Sequence, residues 1–197
     1  HQIPGGLGNA SDLVGRYLMD HLRGPVAHFD VRRSRALQRR FGRYTIADRL
    51  FRGGLRLSPD VQRSRQLLNC AVWLGETLAP DDPGDAIRRM LVGKPRAKDV
   101  LTLASNLPLL LRGCRDHFIA RNGFPRKLSE LSLECMVEQR PDPESRVMLS
   151  DQRDHLGSRL PLIDWRSHED EGRTMRETAR LVVSEFARLG LPAPVLA

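Results

Sequence analysis

The stretch LSLECMV, residues 131–137, decides the fold class of this sequence. Its odd-numbered positions are all apolar, whereas its even-numbered positions are Ser132, Glu134 and Met136, and Glu138 follows. Successive side chains of a β-strand point to opposite faces of the sheet, so this period of two predicts a strand with one buried face. Antiparallel sheets often pack one face on the core and leave the other in water, and we expect this strand to belong to such a sheet.

The residues that follow predict a hairpin, a further strand and a helix. RPDPES, residues 140–145, has the composition of a turn, and RVMLS, residues 146–150, is expected to return as the second arm of a hairpin with the first strand. Residues 160–165 predict another strand. Ser167 and Asp170 have the spacing of a capping box, and the apolar residues after them repeat every three or four positions, which predicts a helix.

The first part of the chain predicts short elements of both kinds. Their expected positions are a helix from Ser11 or Asp12 to Leu18, strands at 26–31 and 67–74, two extended pieces around Gly53 and Gly54, and short helices after Ser58 and over 85–91. Residues 97–121 have helical spacing, but Pro108 would clash with the carbonyl of Ala104, so a kinked helix or two helices are expected. Together these segments predict an α+β fold with a mostly antiparallel sheet covered by helices.

Length and composition are typical of one globular domain. The chain has 197 residues, of which 40% are hydrophobic and 28% charged. Its longest stretch without charge, residues 100–111, is 12 residues long and contains Pro108, whereas a membrane-crossing helix needs about 20 apolar residues. No membrane span is therefore expected. Since the chain begins at His1 with neither Met nor a signal-peptide pattern, we expect it to be a piece of a longer protein.

Three cysteines, Cys70, Cys114 and Cys135, are separated by 44 and 21 residues. An odd and widely spaced set fits neither a disulfide framework nor a C-x-x-C metal or redox site. The stretches around Cys70 and Cys135 are rich in apolar residues, and all three thiols are predicted to be reduced and buried. We therefore expect a reducing compartment and a cytoplasmic protein, although an export signal upstream of His1 is left open.

The positive charge of the chain is concentrated in one segment. Of the 32 basic residues 29 are arginine, and residues 23–65 hold 12 arginines against three acids. The arginine guanidinium can donate two hydrogen bonds to a phosphate group. This segment therefore suggests an alternative function, a module that binds nucleic acid or another polyanion. No aromatic platform, helix-turn-helix or zinc-finger spacing accompanies the charge. The favoured interpretation is a set of solvated or carboxylate-paired arginines, with no nucleic-acid partner.

Local motifs of common catalytic sites are missing from the sequence. Residues 6–8, GLG, begin like a dinucleotide fingerprint, but position 11 is serine and no apolar strand precedes them. The P-loop, H-E-x-x-H and G-x-S-x-G patterns do not occur. The six histidines include no pair at i and i+4, so no metal site is expected.

Three segments carry a resemblance to a known family. VGRYLMDH, residues 14–21, resembles the segment that leads from the flavin domain into the substrate domain of glucose-methanol-choline (GMC) oxidoreductases. EQRPDPESRVMLSD, residues 138–151, and LIDWR, residues 162–166, are similar to the C-terminal region of that family. Shorter similarities at 54–58 and 62–69 keep the same order, so the resemblance extends over about the whole chain.

This resemblance implies an FAD-dependent oxidoreductase acting on CH–OH donors, in which an alcohol or sugar gives a hydride to flavin N5. The family's FAD fingerprint and its C-terminal catalytic His motif are both absent from this sequence, which therefore supplies no catalytic residue. Residues 1–22 would be a linker from the flavin domain, and residues 23–197 the substrate-binding domain with part of the C-terminal region. The chain would be inactive alone, its partner in the complete protein would be a small alcohol or sugar, and its oligomeric state is left open.

Two groups of site residues follow from this reasoning. Carboxylates and amides suit hydrogen bonding to hydroxyl groups, so three residues of the 131–139 strand are predicted to bind substrate: Glu134, Glu138 and Gln139. Asp20 and His21, at the proposed interface between lobes, are predicted to approach the FAD. The alternatives are an ion pair of Glu138 with Arg146 across the hairpin, and purely structural hydrogen bonds for Asp20 and His21.

Overall fold

A computed structural model describes residues 7–47, 49–118 and 126–197. The strands within these ranges are β1 (Leu22–His28), β2 (Arg43–Ile46), β3 (Arg49–Arg52), β4 (Gly54–Arg56), β5 (Cys70–Leu78), β6 (Leu128–Val137), β7 (Arg146–Arg153), β8 (Arg159–Asp164) and β9 (Val195–Leu196). The helices are α1 (Ser34–Phe41), α2 (Pro59–Arg65), α3 (Pro83–Leu91), α4 (Ala97–Ser105), α5 (Leu107–Phe118) and α6 (Glu169–Arg188).

One antiparallel sheet forms the centre of the fold, with strands in the order β4-β5-β6-β1-β9, while β2–β3 and β7–β8 form separate two-stranded hairpins. Helices α1 and α6 cover one face of the central sheet. Leu37 of α1 and Val182 and Phe186 of α6 belong to the same buried cluster as the strand residues. The predicted α+β fold, with a mostly antiparallel sheet covered by helices, is confirmed.

Strand β6 has the alternation that its sequence predicts. Its apolar positions are at most 1% exposed and face the helices: Leu131, Leu133, Cys135 and Val137. The other side of β6 carries Ser132, Glu134 and Met136 on the sheet face that α1 and α6 do not cover, called here the open face. A period of two thus separates the core from a polar surface on a single strand.

The predicted hairpin between the 131–139 strand and residues 146–150 is wrong. Strand β6 has β5 on one edge and β1 on the other, so neither edge is left for β7. Strand β7 pairs instead with β8, where Arg146 lies opposite Asp164 and Val147 opposite Ile163. The strand predicted at 160–165 is confirmed as this partner.

Most predicted helices are confirmed, with differences at their ends. Ser58 accepts a hydrogen bond from Val61 N at the start of α2, and Gly190 ends α6 with a φ of 66°. The 97–121 segment forms two helices that break at Asn106, and its last three positions lie outside the described residues. The N-cap residue of α6 is His168 rather than Ser167, and the Glu171 carboxylate accepts from the His168 backbone N.

The strands predicted at 26–31 and 67–74 are present with shifted bounds, at Leu22–His28 and Cys70–Leu78. Two other segments differ more from what the sequence predicts. The expected helix from Ser11 or Asp12 to Leu18 is a series of turns, with Asp12 and Gly15 at positive φ. The arginine-rich segment after 31, for which no element was predicted, forms a short 3-10 turn and α1. Only Leu37 of α1 is fully buried, and Phe41 packs beside it on Phe186, so two apolar residues among arginines give little sequence signal.

The cysteine prediction is correct for two of three residues. Cys70 and Cys135 are buried on the neighbouring strands β5 and β6, and the Cys70 Sγ lies 3.1 Å from the Thr178 Oγ1. All three cysteines are free thiols, but Cys114 in α5 is exposed, contrary to the prediction. Among the described helices, none combines the length and apolarity needed to cross a membrane.

Helices α3 and α4 are joined by a buried ion pair. Asp99 of α4 is fully buried and accepts hydrogen bonds from the Arg89 guanidinium, with Nη2 2.5 Å from Oδ1, and from the Arg96 backbone N at 2.8 Å. These bonds, that of Arg89 above all, lower the pKa of Asp99 from 3.8 to about 2.

We expect the α3–α4 pair to lose stability as the pH falls from 3.8 towards about 2. The folded-state pKa of Asp99 lies below the unfolded value, so its stabilising contribution is present above the unfolded pKa and is lost as the carboxylate is protonated. Hydrogen exchange of the α3 and α4 amides above and below this pH window measures the effect. Asp99→Asn should weaken the pair above the window and reduce its acid sensitivity, and equal acid sensitivity in both proteins would contradict this assignment.

Candidate functional site

The open face of the central sheet carries a polar cluster on β1, β5 and β6. Glu134 of β6 lies between Trp73 of β5 and Pro25 of β1, its direct neighbours in the two strand pairs. Arg23 of β1 lies opposite Met136, two residues further along β6. Antiparallel pairing places directly opposed residues on the same face, so Arg23, Trp73 and Glu134 share one surface.

Contacts within this cluster hold the Glu134 carboxylate in place. Its Oε1 accepts a hydrogen bond from the Ser132 Oγ at 3.0 Å, and its Oε2 lies 3.7 Å from the Arg23 Nε. The Arg23 guanidinium carbon lies 5.0 Å from the centre of the Trp73 ring, which is the geometry of a cation–π contact. The Glu134 side chain is only 17% exposed, so the carboxylate is fixed but remains reachable.

Gly75 makes the space that Glu134 occupies. It lies in β5 opposite Ser132, and an added Cβ would stand 2.3 Å from the Ser132 Oγ and 2.6 Å from the Glu134 Cγ. A glycine within a strand often marks such a close approach. The open face therefore depends on a missing side chain at residue 75.

We expect Gly75→Ala to displace Glu134 and to lower the free energy of unfolding by about 1 to 3 kcal/mol, as overpacking does. Urea unfolding measures this cost. Gly54→Ala is the matched control, because a Cβ there meets only the Val72 carbonyl O at 3.5 Å. Adding Glu134→Ala to Gly75→Ala should recover part of the cost, and additive effects would show that the two residues do not compete for space.

A second cluster lines a cleft of about 340 Å³ where the chain enters β1 and leaves β6. The cleft brings together four of the five residues predicted as site residues: Asp20, His21, Glu138 and Gln139. Glu134, the fifth, is not among its lining residues and belongs to the open face. The predicted residues thus form two separate groups.

Gln139 connects three segments of the chain inside this cleft. The side chain is buried, and its Oε1 accepts hydrogen bonds from the Asp20 backbone N at 3.0 Å and the Trp165 Nε1 at 2.7 Å. Its Nε2 donates to the carbonyl O of Arg166. The amide that was predicted to bind substrate is thus engaged in joining the protein's own segments, and a substrate contact by Gln139 stays a prediction.

Glu138 also bonds to a neighbouring strand rather than to β7. Its Oε1 accepts from the Asn69 backbone N at 2.7 Å, and its own backbone N donates to the Asn69 O at 2.9 Å. Within the part of the chain that the structure describes, Glu138 forms no ion pair, and the alternative pairing with Arg146 is wrong because β7 is not its hairpin partner. The second carboxylate oxygen of Glu138 is therefore available at the cleft.

Asp20 and His21 are exposed at the mouth of the same cleft. The Asp20 Oδ1 accepts from the His21 backbone N at 2.7 Å, and the His21 imidazole has no hydrogen bond to any described residue. Their contact with FAD stays a prediction.

Sequence reasoning did not identify three residues of the open face, namely Arg23, Trp73 and Gly75. The sequence alternation around Trp73 could have identified it. Cys70, Val72 and Leu74 form the buried face of β5, so Trp73 lies on the opposite face. The other two residues depend on the register between strands, which one strand does not determine.

Comparisons with known proteins assign neither a family nor a function to this chain. No family model matches this chain, and no curated protein matches it. Within the described ranges, no group of three or more His, Cys, Asp or Glu side chains is arranged to hold a metal ion.

Proposed function

We propose that this chain is the substrate-binding lobe of a GMC-type, FAD-dependent oxidoreductase that acts on an alcohol or sugar. The observation that carries the proposal is a direct contact between the two longest segments of resemblance, 14–21 and 138–151. The Val147 N donates to the Gly15 O, and the Leu18 N donates to the Ser145 O, both at 2.8 Å. Residues more than 120 positions apart in the sequence therefore form one joint.

The residues of the first segment have roles that depend on the second. Gly15 has a φ of 80°, and an added Cβ would lie 2.1 Å from the Val147 carbonyl O. The Arg16 Nη1 donates to the Glu144 Oε1 at 2.7 Å and to the Pro143 O at 3.0 Å. Glycine and arginine are thus required by the partner segment, which favours a shared family pattern over a coincidence of composition.

The third segment of resemblance, 162–166, meets the other two at Gln139. Trp165 and Arg166 bond to the Gln139 amide, and so does Asp20 of the first segment. All three stretches that carry the resemblance therefore share one junction at the end of β6. This arrangement supports a linker that fixes the sheet relative to a neighbouring domain.

The sheet suits the part that a substrate lobe has to perform. A bound flavin supplies the hydride acceptor, so the protein must orient the substrate carbon and exclude water. Helices α1 and α6 stiffen one face of the sheet, while the other presents Glu134, whose carboxylate accepts hydrogen bonds from hydroxyl groups. The Trp73 ring beside it offers an apolar wall for a CH-rich surface.

In this proposal, the chain would form one wall of the FAD site. Asp20 and His21 offer an unbonded imidazole and a carboxylate at the mouth of the cleft between the linker and β6. A cleft of about 340 Å³ is small for a complete dinucleotide. The described residues would therefore contact part of the cofactor, and its phosphates would need a glycine-rich turn elsewhere.

The test uses the chain together with the sequence encoded on either side of it. We expect the longer protein to be purified with visible flavin absorption that bleaches under anaerobic conditions when a suitable alcohol or sugar is added. The 197-residue chain alone is expected to bind no flavin. A longer protein without flavin, or with flavin that no alcohol or sugar of a broad panel reduces, would contradict the proposal.

Glu134→Gln in the longer protein tests the open face as the substrate surface. We expect flavin reduction at low substrate concentration to slow by about 10- to 100-fold, because a hydrogen bond to a charged group contributes about 1.5 to 3 kcal/mol. Glu130→Gln is the control, since Glu130 lies on the same strand, is exposed and forms an ion pair with His28 at 3.2 Å. Equal slowing by both changes would argue against a substrate contact at Glu134.

A groove lined by arginine favours a second candidate function, polyanion binding. Arg32, Arg33, Arg35 and Arg39 line a cleft of about 600 Å³ together with residues 190–192. Phosphate binding makes log K fall steeply with log salt, whereas binding of a neutral alcohol is almost independent of salt. Duplex DNA binding with such a slope, reduced in an Arg33→Gln/Arg39→Gln variant, would favour this candidate, and the first proposal expects no DNA binding at physiological salt.

A further inference from the structure

A pocket beside Glu134 holds an arginine that forms no ion pair with any carboxylate of the described residues. It has a volume of about 360 Å³ and is lined by Arg23, Arg52, Gly53, Gly54 and Trp73. This volume is at the lower end of the range for small-molecule sites. Two guanidinium groups and an indole around two glycines form a polar, open-topped space next to the proposed substrate face.

Among the described residues, Arg52 has no ion pair, and the carboxylates of Glu76 and Glu134, each paired with another arginine, attract it only from a greater distance. Arg23 lies 3.7 Å from Glu134, and Arg43 lies 3.7 Å from Glu76, so two of the three neighbouring arginines have carboxylate partners. No carboxylate among the described residues lies within ion-pair distance of the Arg52 guanidinium. One positive charge therefore points to an anion from outside the chain.

The strand pairing makes this surplus charge unfavourable in the free protein. Arg43 and Arg52 are directly opposite each other in the β2–β3 hairpin, and like charges at opposed positions destabilise a strand pair. Desolvation and then repulsion from Arg43 lower the pKa of Arg52. A bound anion would offset the repulsion between the two arginines.

The other residues around the pocket indicate which further groups a ligand must have. Gly53 and Gly54 contribute no side chains, and a Cβ at Gly53 would be crowded because it would lie 3.1 Å from the backbone of Phe41. The Trp73 ring forms an apolar side wall, and Glu134 lies directly opposite Trp73 on the next strand. A ligand reaching from Arg52 to Glu134 therefore needs an anionic end, a compact body and a hydroxyl group.

We propose that the substrate of this lobe is a hydroxy acid of the sugar-acid class, whose carboxylate binds the forked guanidinium of Arg52 while a hydroxyl group meets Glu134. The inference rests on the proposed function for the identity of the reacting hydroxyl. The binding preference itself is a property of the pocket. Arginine binds carboxylates in a two-point geometry that neutral sugars cannot match.

The experiment compares D-gluconate with its uncharged counterpart D-sorbitol on the 197-residue chain, by calorimetry and tryptophan fluorescence. We expect saturable gluconate binding at least about 10-fold tighter than sorbitol binding, since a charge-assisted pair is roughly twice as strong as a neutral one. Arg52→Gln should remove this preference, and Arg52→Lys should keep part of it. Arg49→Gln, an exposed arginine of the same strand, should leave it unchanged.

Each outcome separates this inference from the proposed function. Equal affinity for both ligands, no saturable gluconate binding, or an unchanged preference in a folded Arg52→Gln chain would overturn the carboxylate site. If the longer protein holds a flavin that neutral alcohols reduce as well as hydroxy acids, only this inference fails. If gluconate binds through Arg52 but the longer protein holds no flavin, the pocket stands and the oxidoreductase proposal fails.

Discussion

Gly15→Ala is expected to detach residues 14–18 from β7 and to lower the free energy of unfolding by about 2 to 4 kcal/mol. Gly15 has a φ of 80°, which costs an L-residue energy, and a Cβ would lie 2.1 Å from the Val147 carbonyl O. The Val147 carbonyl belongs to the backbone and cannot rotate away as a flexible side chain can. Residues 14–18 must therefore move away from β7. Urea unfolding and hydrogen exchange of the Leu18 and Val147 amides measure the loss.

Gly8→Ala provides the control for this change. Gly8 also has a positive φ, 73°, but no atom lies within 4 Å of an added Cβ. It should therefore show the cost of backbone strain alone, about 1 kcal/mol. If Gly8→Ala and Gly15→Ala have equal effects, or if the Val147 amide keeps its protection in Gly15→Ala, the contact with β7 does not explain the glycine.

Asp82→Ala is expected to be the most destabilising single change among the charged residues discussed here, at about 3 to 5 kcal/mol. The Asp82 side chain is fully buried and accepts from the Arg126 Nε at 2.8 Å, the Lys127 backbone N at 2.6 Å and the Asp85 backbone N at 3.3 Å. Its removal leaves these donors without an acceptor in a site with little water. Thermal or urea unfolding followed by circular dichroism measures the change.

The adjacent Asp81 supplies a control with the same charge. Asp81 forms an ion pair with the Lys127 Nζ at the surface, where water screens the interaction. Asp81→Ala should change stability far less than Asp82→Ala. Comparable losses would mean that the charge of this loop, rather than the buried acceptor, holds the start of α3 against β6.

The sequence was sufficient to predict those features that depend only on residues close together in the chain. The alternation of 131–137 identified β6 and its buried face, and Pro108 identified the break between α4 and α5, because both effects act within a few residues. Gly190 likewise ended α6 where predicted. The general class of the fold followed from these elements.

Pairing and site geometry were harder to predict because they depend on distant residues. The turn at 140–145 suggested a hairpin, but β1 and β5 already occupy both edges of β6, and the sequence of β7 contains no sign of this. The open face combines Arg23 and Trp73, which lie 50 residues apart, with Glu134. Only the register of three strands brings them together.

The amide of Gln139 makes distant stretches behave as one cooperative unit. Its two oxygen bonds and its nitrogen bond join residue 20 to residues 165 and 166 through one buried side chain. If the linker pulls away, the indole of Trp165 loses its ordered surroundings at the same moment. Movement of the linker would therefore change the fluorescence of Trp165.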